Sequence, residues 1–381
     1  MASVASGNWD IAVIGAGIAG ASIAAELAPI ARVLLIERET QPGYHTTGRS
    51  AALFSQTYGP PAIRALSRAS APFFHAPPDG FAAGPLLSPR GVLMIARDDQ
   101  RASLEAMLAE VSADDTGRYV EGDELRDMLP LLRQGYAAAA VFEPGASHID
   151  VHVLHHGYLR RFRADGGTVL TDHELRSLTR NGSGWLIETG KGTFGAAMVV
   201  DAAGAWADEV GAMAGARPVG LVPKRRTALI VTAPPGLDPA LWPMAVDIDE
   251  QFYLKPDAGR LLISPADETP SAPCDAQPDE FDIAVCIDRI ETAFELKVER
   301  VENKWAGLRS FVADGVPVVG FDPDIAGFFW LAGQGGYGIQ SAPALARLAA
   351  ARVLGRPIPA DIADQGLAEA SLTLSRLERA A

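Results

Sequence analysis

The stretch that decides the fold is DIAVIGAGIAGASIAAELA, residues 10–28. It begins as a short apolar strand, turns through a GxGxxG pattern that starts at Gly15, and continues with the small apolar residues of a helix. A second apolar run, RVLLIE (residues 32–37), ends in Glu37. The first glycine permits a tight turn, the second lets a pyrophosphate approach the backbone, and the acid accepts hydrogen bonds from a ribose. The stretch therefore predicts a β-α-β unit that binds a dinucleotide.

Length and charge narrow the class of protein. A chain of 381 residues exceeds what one hydrophobic core usually organises, so we expect two closely joined domains. The formal net charge of −14 argues against a nucleic-acid partner and favours small molecules. The two cysteines, Cys274 and Cys286, fit neither a disulfide framework nor a metal site. Because the sequence has no signal-peptide pattern and no integral membrane segment, we expect a cytoplasmic protein, or one peripheral to the inner membrane.

Two further glycine-rich segments bear on the choice between NAD and FAD. In FGAAMVVDAAGAWADEV (residues 194–210) a strand breaks at Gly204, and small residues at a strand end let a ligand lie against the backbone. In GFFWLAGQGGYGIQSAPALARLAAARVL (residues 327–354) a strand, a cluster of glycines and a long helix follow one another. Such a turn directs backbone N–H groups and the positive end of the helix dipole at an anion. Two nucleotide-type sites far apart in sequence suit a long ligand, and FAD fits better than NAD.

These segments, together with GYHTTGRSAALF (residues 43–54) and WAGLRSFVADGVPVVG (residues 305–320), resemble in this order the FAD-dependent D-amino-acid oxidase superfamily, which includes glycine and sarcosine oxidases. PLLSPR, PKRR and FYLKPDAG are similar to the bacterial D-arginine dehydrogenases within it. The resemblance implies an α/β fold with a Rossmann-like FAD-binding domain built from discontinuous segments, and an α+β substrate domain with an antiparallel sheet. The FAD-binding domain would comprise residues 1–82, 146–209 and 310–381, and the substrate domain residues 83–145 and 210–309.

The resemblance also implies which residues contact the cofactor. They are Gly15, Gly17, Ile18, Ala19, Glu37 and Arg38; the loop Thr46, Thr47, Gly48, Arg49, Ser50 and Ala51; Gly204; and the turn Gly335, Gly336, Tyr337, Gly338, Ile339 and Gln340. Family members that attach FAD covalently use a cysteine in the segment written here as GLRSFVADG, so we expect non-covalent binding. No metal is expected, because the family uses the histidine-rich helix near residues 148–159 to pack beside FAD.

An amino-acid substrate presents a carboxylate, and a guanidinium is the side chain that binds a carboxylate in a bidentate manner. The resemblance places Arg226 and Arg309 in this role, and Tyr58 and Tyr253 in the wall of the substrate pocket. It also places the backbone carbonyl of Gly336 near the substrate amine.

Two apolar residues suggest the substrate preference. Leu53 and Val92 stand where arginine-specific members of the family carry a histidine and an acid. A guanidinium buried against them without a partner would cost several kcal/mol. The sequence therefore predicts a side-chain pocket for apolar or uncharged D-amino acids and not for D-arginine.

The reaction that the resemblance implies is FAD-dependent oxidative deamination of D-amino acids by a dehydrogenase. Hydride passes from Cα to flavin N5, and the imino acid hydrolyses to a 2-oxo acid and ammonia. One alternative is an oxidase for secondary or cyclic amines of the sarcosine, glycine or proline type. Another is a flavin electron-transfer subunit of a larger complex, which would need no pair of arginines. The electron acceptor stays open between a quinone, another carrier and oxygen.

Overall fold

The dinucleotide-binding motif lies at the centre of an eight-stranded sheet. The computed structural model describes residues 8–113 and 116–379. Strand β1 (Asn8–Ile14) pairs in parallel with β2 (Val33–Ile36), and helix α1 (Ile18–Leu27) connects them. The predicted β-α-β unit is therefore present.

Other parallel strands extend the dinucleotide unit, and antiparallel strands flank it. Further strands of this sheet are β9 (Thr168–Leu170), β10 (Leu175–Asn181), β11 (Gly184–Thr189), β12 (Gly192–Asp201), β18 (Val318–Phe321) and β19 (Phe328–Ala332). The strand order is β10-β11-β12-β1-β2-β9, with β19 paired to both β12 and β18. Strand β12 is parallel to β1, and β19 is parallel to β12. The carboxyl ends of these three strands, where the three glycine-rich turns begin, therefore meet at one edge of the sheet.

Helices cover this sheet and bury one large hydrophobic core. They include α2 (Pro61–His75), α5 (Val151–Ala164), α6 (Ala207–Met213), α8 (Gly338–Val353) and α9 (Ala360–Ala363). Helix α1 packs against both α5 and α8, because its small side chains permit close approach. A Cβ at Gly20 would lie 1.8 Å from the carbonyl oxygen of Gly15, so only glycine fits the third position of the motif.

A second eight-stranded sheet carries Arg226, Tyr253 and Arg309, which the sequence predicts near the substrate. Its strands are β5 (Val92–Ala96), β6 (Arg118–Glu121), β7 (Ala139–Glu143), β13 (Val222–Val231), β14 (Met244–Asp247), β15 (Tyr253–Asp257), β16 (Arg260–Ser264) and β17 (Val301–Phe311). The order is β17-β13-β16-β15-β14-β5-β7-β6. All neighbours are antiparallel except β5 and β14, which run parallel because the chain crosses the sheet between them. The predicted antiparallel sheet thus contains one parallel pair.

Helices also cover parts of both faces of the second sheet. On one face lie α4 (Gly122–Met128) and α7 (Glu280–Ala293), and α7 packs through Ile283, Cys286 and Ile290. On the other face α3 (Arg101–Ala113) packs against Ala96, Ala139 and Val141. A third, small sheet has the strands β3 (Leu53–Phe54), β8 (Ser147–Ile149) and β4 (Leu87–Pro89). In sequence, each of these strands stands where the chain passes from one large sheet to the other. The domain boundaries themselves stay a prediction, and β17 runs across the expected border at residue 309. Among the residues described, no helix combines the length and the apolar character needed to cross a bilayer.

Candidate active site

One long cavity joins the glycine-rich turns to the second sheet. Most residues that the sequence assigns to the cofactor lie on its wall, and so do Arg226, Tyr253 and Arg309. The predicted cofactor residues on the wall are Gly15, Gly17, Ile18, Ala19, Glu37, Arg38, Thr46, Thr47, Arg49, Ser50, Ala51, Gly204, Gly335, Gly336, Gly338 and Ile339. The structure thus brings the two arginines and Tyr253 together with the predicted cofactor residues in one space, whereas Tyr58, predicted in the pocket wall, lies behind Arg309 and does not line the cavity.

Three predicted cofactor residues do not lie on this wall, and each has a structural role instead. Gly48 closes a tight turn, because its N–H donates to the carbonyl of Gly43 at 2.8 Å and a Cβ would meet that oxygen. Tyr337 precedes helix α8 and packs edge-on against Tyr58, with ring centroids 5.0 Å apart. Gln340 is buried, and its side-chain amide bonds to the backbone of residues 55 and 58.

Side chains from distant segments hold the first glycine-rich turn in place. The N–H of Ile18 donates to Thr47 Oγ1 at 2.9 Å, and the N–H of Ala16 donates to Glu37 Oε2 at 2.8 Å. His155 Nε2 lies 2.9 Å from the carbonyl oxygen of Ala16. Burial lowers the pKa of His155 to about 4, so the ring is neutral at physiological pH. Burial also raises the pKa of Glu37.

The loop after β2 is fastened to the second sheet. Thr46 Oγ1 donates to the carbonyl of Leu308 at 2.7 Å, and Arg49 Nη1 donates to the carbonyl of Ala306 at 2.9 Å. Trp305 Nε1 in turn donates to the carbonyl of Arg49 at 3.0 Å. These bonds fix the loop across the end of β17, so the cofactor cavity and the substrate residues share one wall.

The residues present fit a ligand of the FAD type on two observations. The backbone at Gly15 has φ of +95°, and a Cβ there would lie 2.6 Å from the carbonyl oxygen of Ala202, so only glycine lets this turn of the cavity wall pack against the end of β12. Ser310 lies on the cavity wall with a buried hydroxyl that has no hydrogen-bond partner within residues 8–113 and 116–379. A buried hydroxyl of this kind calls for a polar group of a ligand. Cys274 and Cys286 are not on the wall, and non-covalent binding stays a prediction.

Arg309 and Arg226 project from the same face of the second sheet. In the pairing of β13 with β17, Arg226 is opposite Gly307 and Lys224 is opposite Arg309, so the two arginines are diagonal neighbours. Arg309 Nη1 donates to the hydroxyl of Tyr58 over 3.5 Å. Burial raises the pKa of Tyr58, against the opposing effect of Arg309, so its phenol is a neutral hydrogen-bond donor.

Each arginine has an acidic residue nearby that the sequence analysis missed. Arg226 Nη2 donates to Glu268 Oε1 at 2.9 Å, whereas its buried Nε has no partner within the described part of the chain. Burial tends to raise the pKa of Glu268, but Lys224 and Arg226 lower it overall, so this acid is ionised. The hydroxyl of Tyr58 donates to Glu250 Oε2 over 3.4 Å. Both acids lie in loops without any motif, and only the folded chain places them beside the arginines.

Leu53 and Val92 lie one layer behind the cavity wall and not on it. They pack with Ala51, Ala228 and Tyr253, which are wall residues, in one apolar cluster. Val92 is only 3% exposed because β5 lies inside the second sheet. Leu53 is held away from the cavity because its strand, β3, pairs with β8. Their predicted contact with the substrate side chain is therefore at most indirect in this structure.

A buried lysine lies beside this cluster. Lys255 is 2% exposed, and its ammonium group lies 3.2 Å from His148 Nδ1, on the strand that pairs with Leu53. Burial lowers the pKa of Lys255 to about 8 and, with the help of Lys255, that of His148 to about 4. At neutral pH the positive charge therefore stays mainly on the lysine.

Comparisons with known proteins agree with this geometry. A family model described as "FAD dependent oxidoreductase" matches residues 10–352. The chain is 27% identical over 365 residues to a glycine oxidase from Geobacillus kaustophilus, covering 88% of this chain and 90% of that protein. It is 26% identical over 268 residues to the mitochondrial dimethylglycine dehydrogenase of Mus musculus, but covers only 31% of that longer protein.

Solved structures give the same result. The crystal structure of the glycine oxidase from Geobacillus kaustophilus superimposes with a TM-score of 0.80 at 25% identity, over 96% of this chain and 99% of that one. An L-α-glycerophosphate oxidase from Mycoplasma pneumoniae with FAD bound has the same fold, with a TM-score of 0.80 at 17% identity over 92% of this chain and 95% of that one. The chain belongs to the FAD dependent oxidoreductase family, and its cofactor is FAD.

Proposed function

We propose that this member of the FAD dependent oxidoreductase family oxidises amino acids at the bond between Cα and the amine nitrogen. The observation that supports the proposal best is the convergence of Arg309, Arg226 and Tyr253 on the wall of the FAD cavity. A protein that only carried electrons would have no use for guanidinium groups at this place. The substrate carboxylate would bind Arg309, whose guanidinium is oriented by the hydroxyl of Tyr58 that accepts from its Nη1.

The chain's residues would orient the substrate. FAD, when bound, supplies the acceptor for the hydrogen and the electrons that leave Cα. The turn of Gly336 packs against the Arg309 guanidinium, since a Cβ there would lie 3.0 Å from Nη1, and its carbonyl would accept a hydrogen bond from the amine. Two guanidinium groups nearby would lower the pKa of the amine, which must be neutral for oxidation. Fixing the carboxylate and the amine together supplies several kcal/mol through orientation.

D-amino acids with apolar or uncharged side chains are the first candidate substrates. The ammonium group of Lys255 lies 3.2 Å from His148, the strand partner of Leu53. Among the described residues only Asp257, at 3.9 Å, offsets its charge, so a cationic side chain in this direction would meet a like charge. D-arginine and D-lysine are thus disfavoured, although the loops PLLSPR, PKRR and FYLKPDAG are similar to those of D-arginine dehydrogenases. The finer resemblance to that subgroup stays a prediction.

Glycine and N-methylated glycines are the second candidate. They are favoured by the similarity to glycine oxidase and to dimethylglycine dehydrogenase. A small substrate would need no side-chain pocket, and this suits the position of Leu53 and Val92 behind the wall.

Anaerobic mixing of the flavoprotein with an amine panel tests the proposal and ranks the candidates. Bleaching of the visible flavin band is followed with D-leucine, D-methionine, D-phenylalanine, D-arginine, glycine, sarcosine and L-leucine. Rapid bleaching by uncharged D-amino acids supports the first candidate, and bleaching by glycine and sarcosine alone supports the second. If no amine bleaches the flavin, the proposal is wrong and an electron-transfer role gains support. Admission of air after bleaching then separates oxygen from a quinone or another carrier as acceptor.

A further inference from the structure

A buried carboxylate at the end of the second sheet binds the segment that precedes Tyr58. Glu143, the last residue of β7, is 4% exposed. It accepts hydrogen bonds from Ser55 Oγ at 2.7 Å, from the N–H of Gln56 at 2.8 Å and from Thr57 Oγ1 at 2.6 Å. Three consecutive residues thus donate to one side chain from another part of the chain.

Within residues 8–113 and 116–379, no basic group forms a salt bridge with Glu143, and these short hydrogen bonds are the partners of its side chain. A buried carboxyl group without such bonds would be very costly. The segment and the carboxylate therefore hold each other in a single geometry.

A second buried side chain, from helix α8, binds the same segment. Gln340, 3% exposed in the first turn of α8, accepts from the N–H of Ser55 at 3.2 Å and donates to the carbonyl of Tyr58 at 3.4 Å. Residues 55–59 belong to no helix or strand, so no regular backbone ladder fixes them. The position of Tyr58 then depends on the bonds of Glu143 and Gln340.

We propose that Glu143 is a positioning residue for substrate binding, which acts by holding Tyr58 against Arg309. The proposal rests on the proposed function, in which Arg309 binds the substrate carboxylate and Tyr58 orients its guanidinium. Without the Glu143 bonds, the segment loses three of its anchors and the Tyr58 hydroxyl moves away from the guanidinium, 3.5 Å from it in this structure. Arg309 then loses the acceptor that orients it toward the carboxylate.

The variant Glu143→Leu, which keeps the size but removes both acceptors, tests this inference in the FAD-loaded protein. Benzoate serves as the carboxylate probe, and its Kd is read from the shift of the flavin absorption band. We expect Kd, and the KM of the amine substrate, to rise about tenfold or more with a smaller change in kcat. Glu143→Gln retains an acceptor for the Gln56 N–H and should restore most of the affinity.

Two controls separate positioning from a general loss of stability. Asp322 is also a buried carboxylate that accepts three hydrogen bonds, from the N–H groups of residues 324 and 325 and from Trp330 Nε1, but it lies far from Tyr58 in the first sheet. Asp322→Leu should lower stability without weakening benzoate binding. In a double-mutant cycle, Glu143→Leu should add almost nothing to the effect of Tyr58→Ala.

Additive effects in the cycle, or equal loss of affinity in Asp322→Leu, would overturn the inference while the proposed function stands. If the unsubstituted protein binds neither benzoate nor any amine, the proposed function fails first. Should Glu143→Leu fail to retain flavin, Thr57→Val replaces it, because it removes the shortest of the three bonds and keeps the shape of the side chain. The same rise in Kd and the same lack of additivity with Tyr58→Ala are then expected, and their absence refutes the role of Glu143.

Discussion

The cofactor turn and the two arginines proposed to bind the substrate share one cavity but are built in different ways. The turn depends on backbone geometry within a short segment, where Gly15 and Gly20 leave no space for a side chain. The arginines depend on long side chains, and their partners come from loops distant in sequence, with Glu268 beside Arg226 and Tyr58 beside Arg309. A site made of backbone should be lost on any substitution of its glycines. A site made of side chains should instead lose activity by an amount that depends on which side chain is changed.

The largest effect is expected at the backbone site. Gly15→Ala places a methyl group 2.6 Å from the carbonyl oxygen of Ala202, and neither atom can rotate away. We expect a loss of about 4 kcal/mol or more in flavin binding or stability, so that the purified variant is colourless. Gly166→Ala is the matched control, because Gly166 has φ of +87° with open space around it and should cost about 1–2 kcal/mol. A yellow, active Gly15→Ala protein would contradict the steric account of the turn.

This contrast also explains what the sequence could predict. The fingerprint at Gly15 was predictable because a turn, a helix start and an acid are local consequences of residue type and spacing. The roles of Arg226 and Arg309 followed from resemblance alone, and their acidic neighbours Glu250 and Glu268 were missed. No local pattern encodes a contact between a loop and a strand, since such contacts exist only after the sheets have packed. Leu53 and Val92 were assigned to the pocket for the same reason, but neither lines the cavity: Val92 is buried in β5, and the half-buried Leu53 packs in the same apolar cluster.

The next largest effect is expected for the side-chain site. Arg309→Ala should lower kcat/KM more than a hundredfold, a loss of about 3 kcal/mol of transition-state stabilisation, because the substrate carboxylate loses its bidentate partner. Flavin content should not change, and this separates the two regions. Arg309→Lys should lie between, since it keeps the charge but not the planar fork. Arg225→Ala is the control, because Arg225 pairs with Asp282 at 2.6 Å and is not on the cavity wall. Equal losses in both variants would refute the assignment of Arg309.

A smaller effect, dependent on pH, is expected where a side chain supports the backbone site. His155 has a pKa of about 4 in the folded protein and 6.5 as its usual value. Because the unfolded chain binds more protons between these values, the free energy of unfolding should fall as the pH drops below 6.5. For His155 alone the loss is about 2 kcal/mol between pH 8 and pH 5. Urea titrations of the wild type and His155→Gln, which keeps a donor for the Ala16 carbonyl, should show a shallower acid limb in the variant. Identical slopes would show that His155 is not responsible.

The smallest effect is expected at the pair of Arg226 and Glu268, and its direction sharpens the comparison. The Glu268 side chain is 45% exposed, so its pairing with Arg226 is worth only about 1 kcal/mol. If Glu268 occupies a guanidinium that a substrate carboxylate could use, Glu268→Gln should lower KM by about twofold to fivefold and leave kcat unchanged. If Glu268 instead orients Arg226, the same variant should raise KM.

Glu302→Gln is the control, with no effect expected on KM, because Glu302 lies on the same sheet and accepts a hydrogen bond from the Thr232 hydroxyl at 2.7 Å. Steady-state kinetics at two salt concentrations completes the test, because competition between carboxylates should make the gain in Glu268→Gln smaller at high salt.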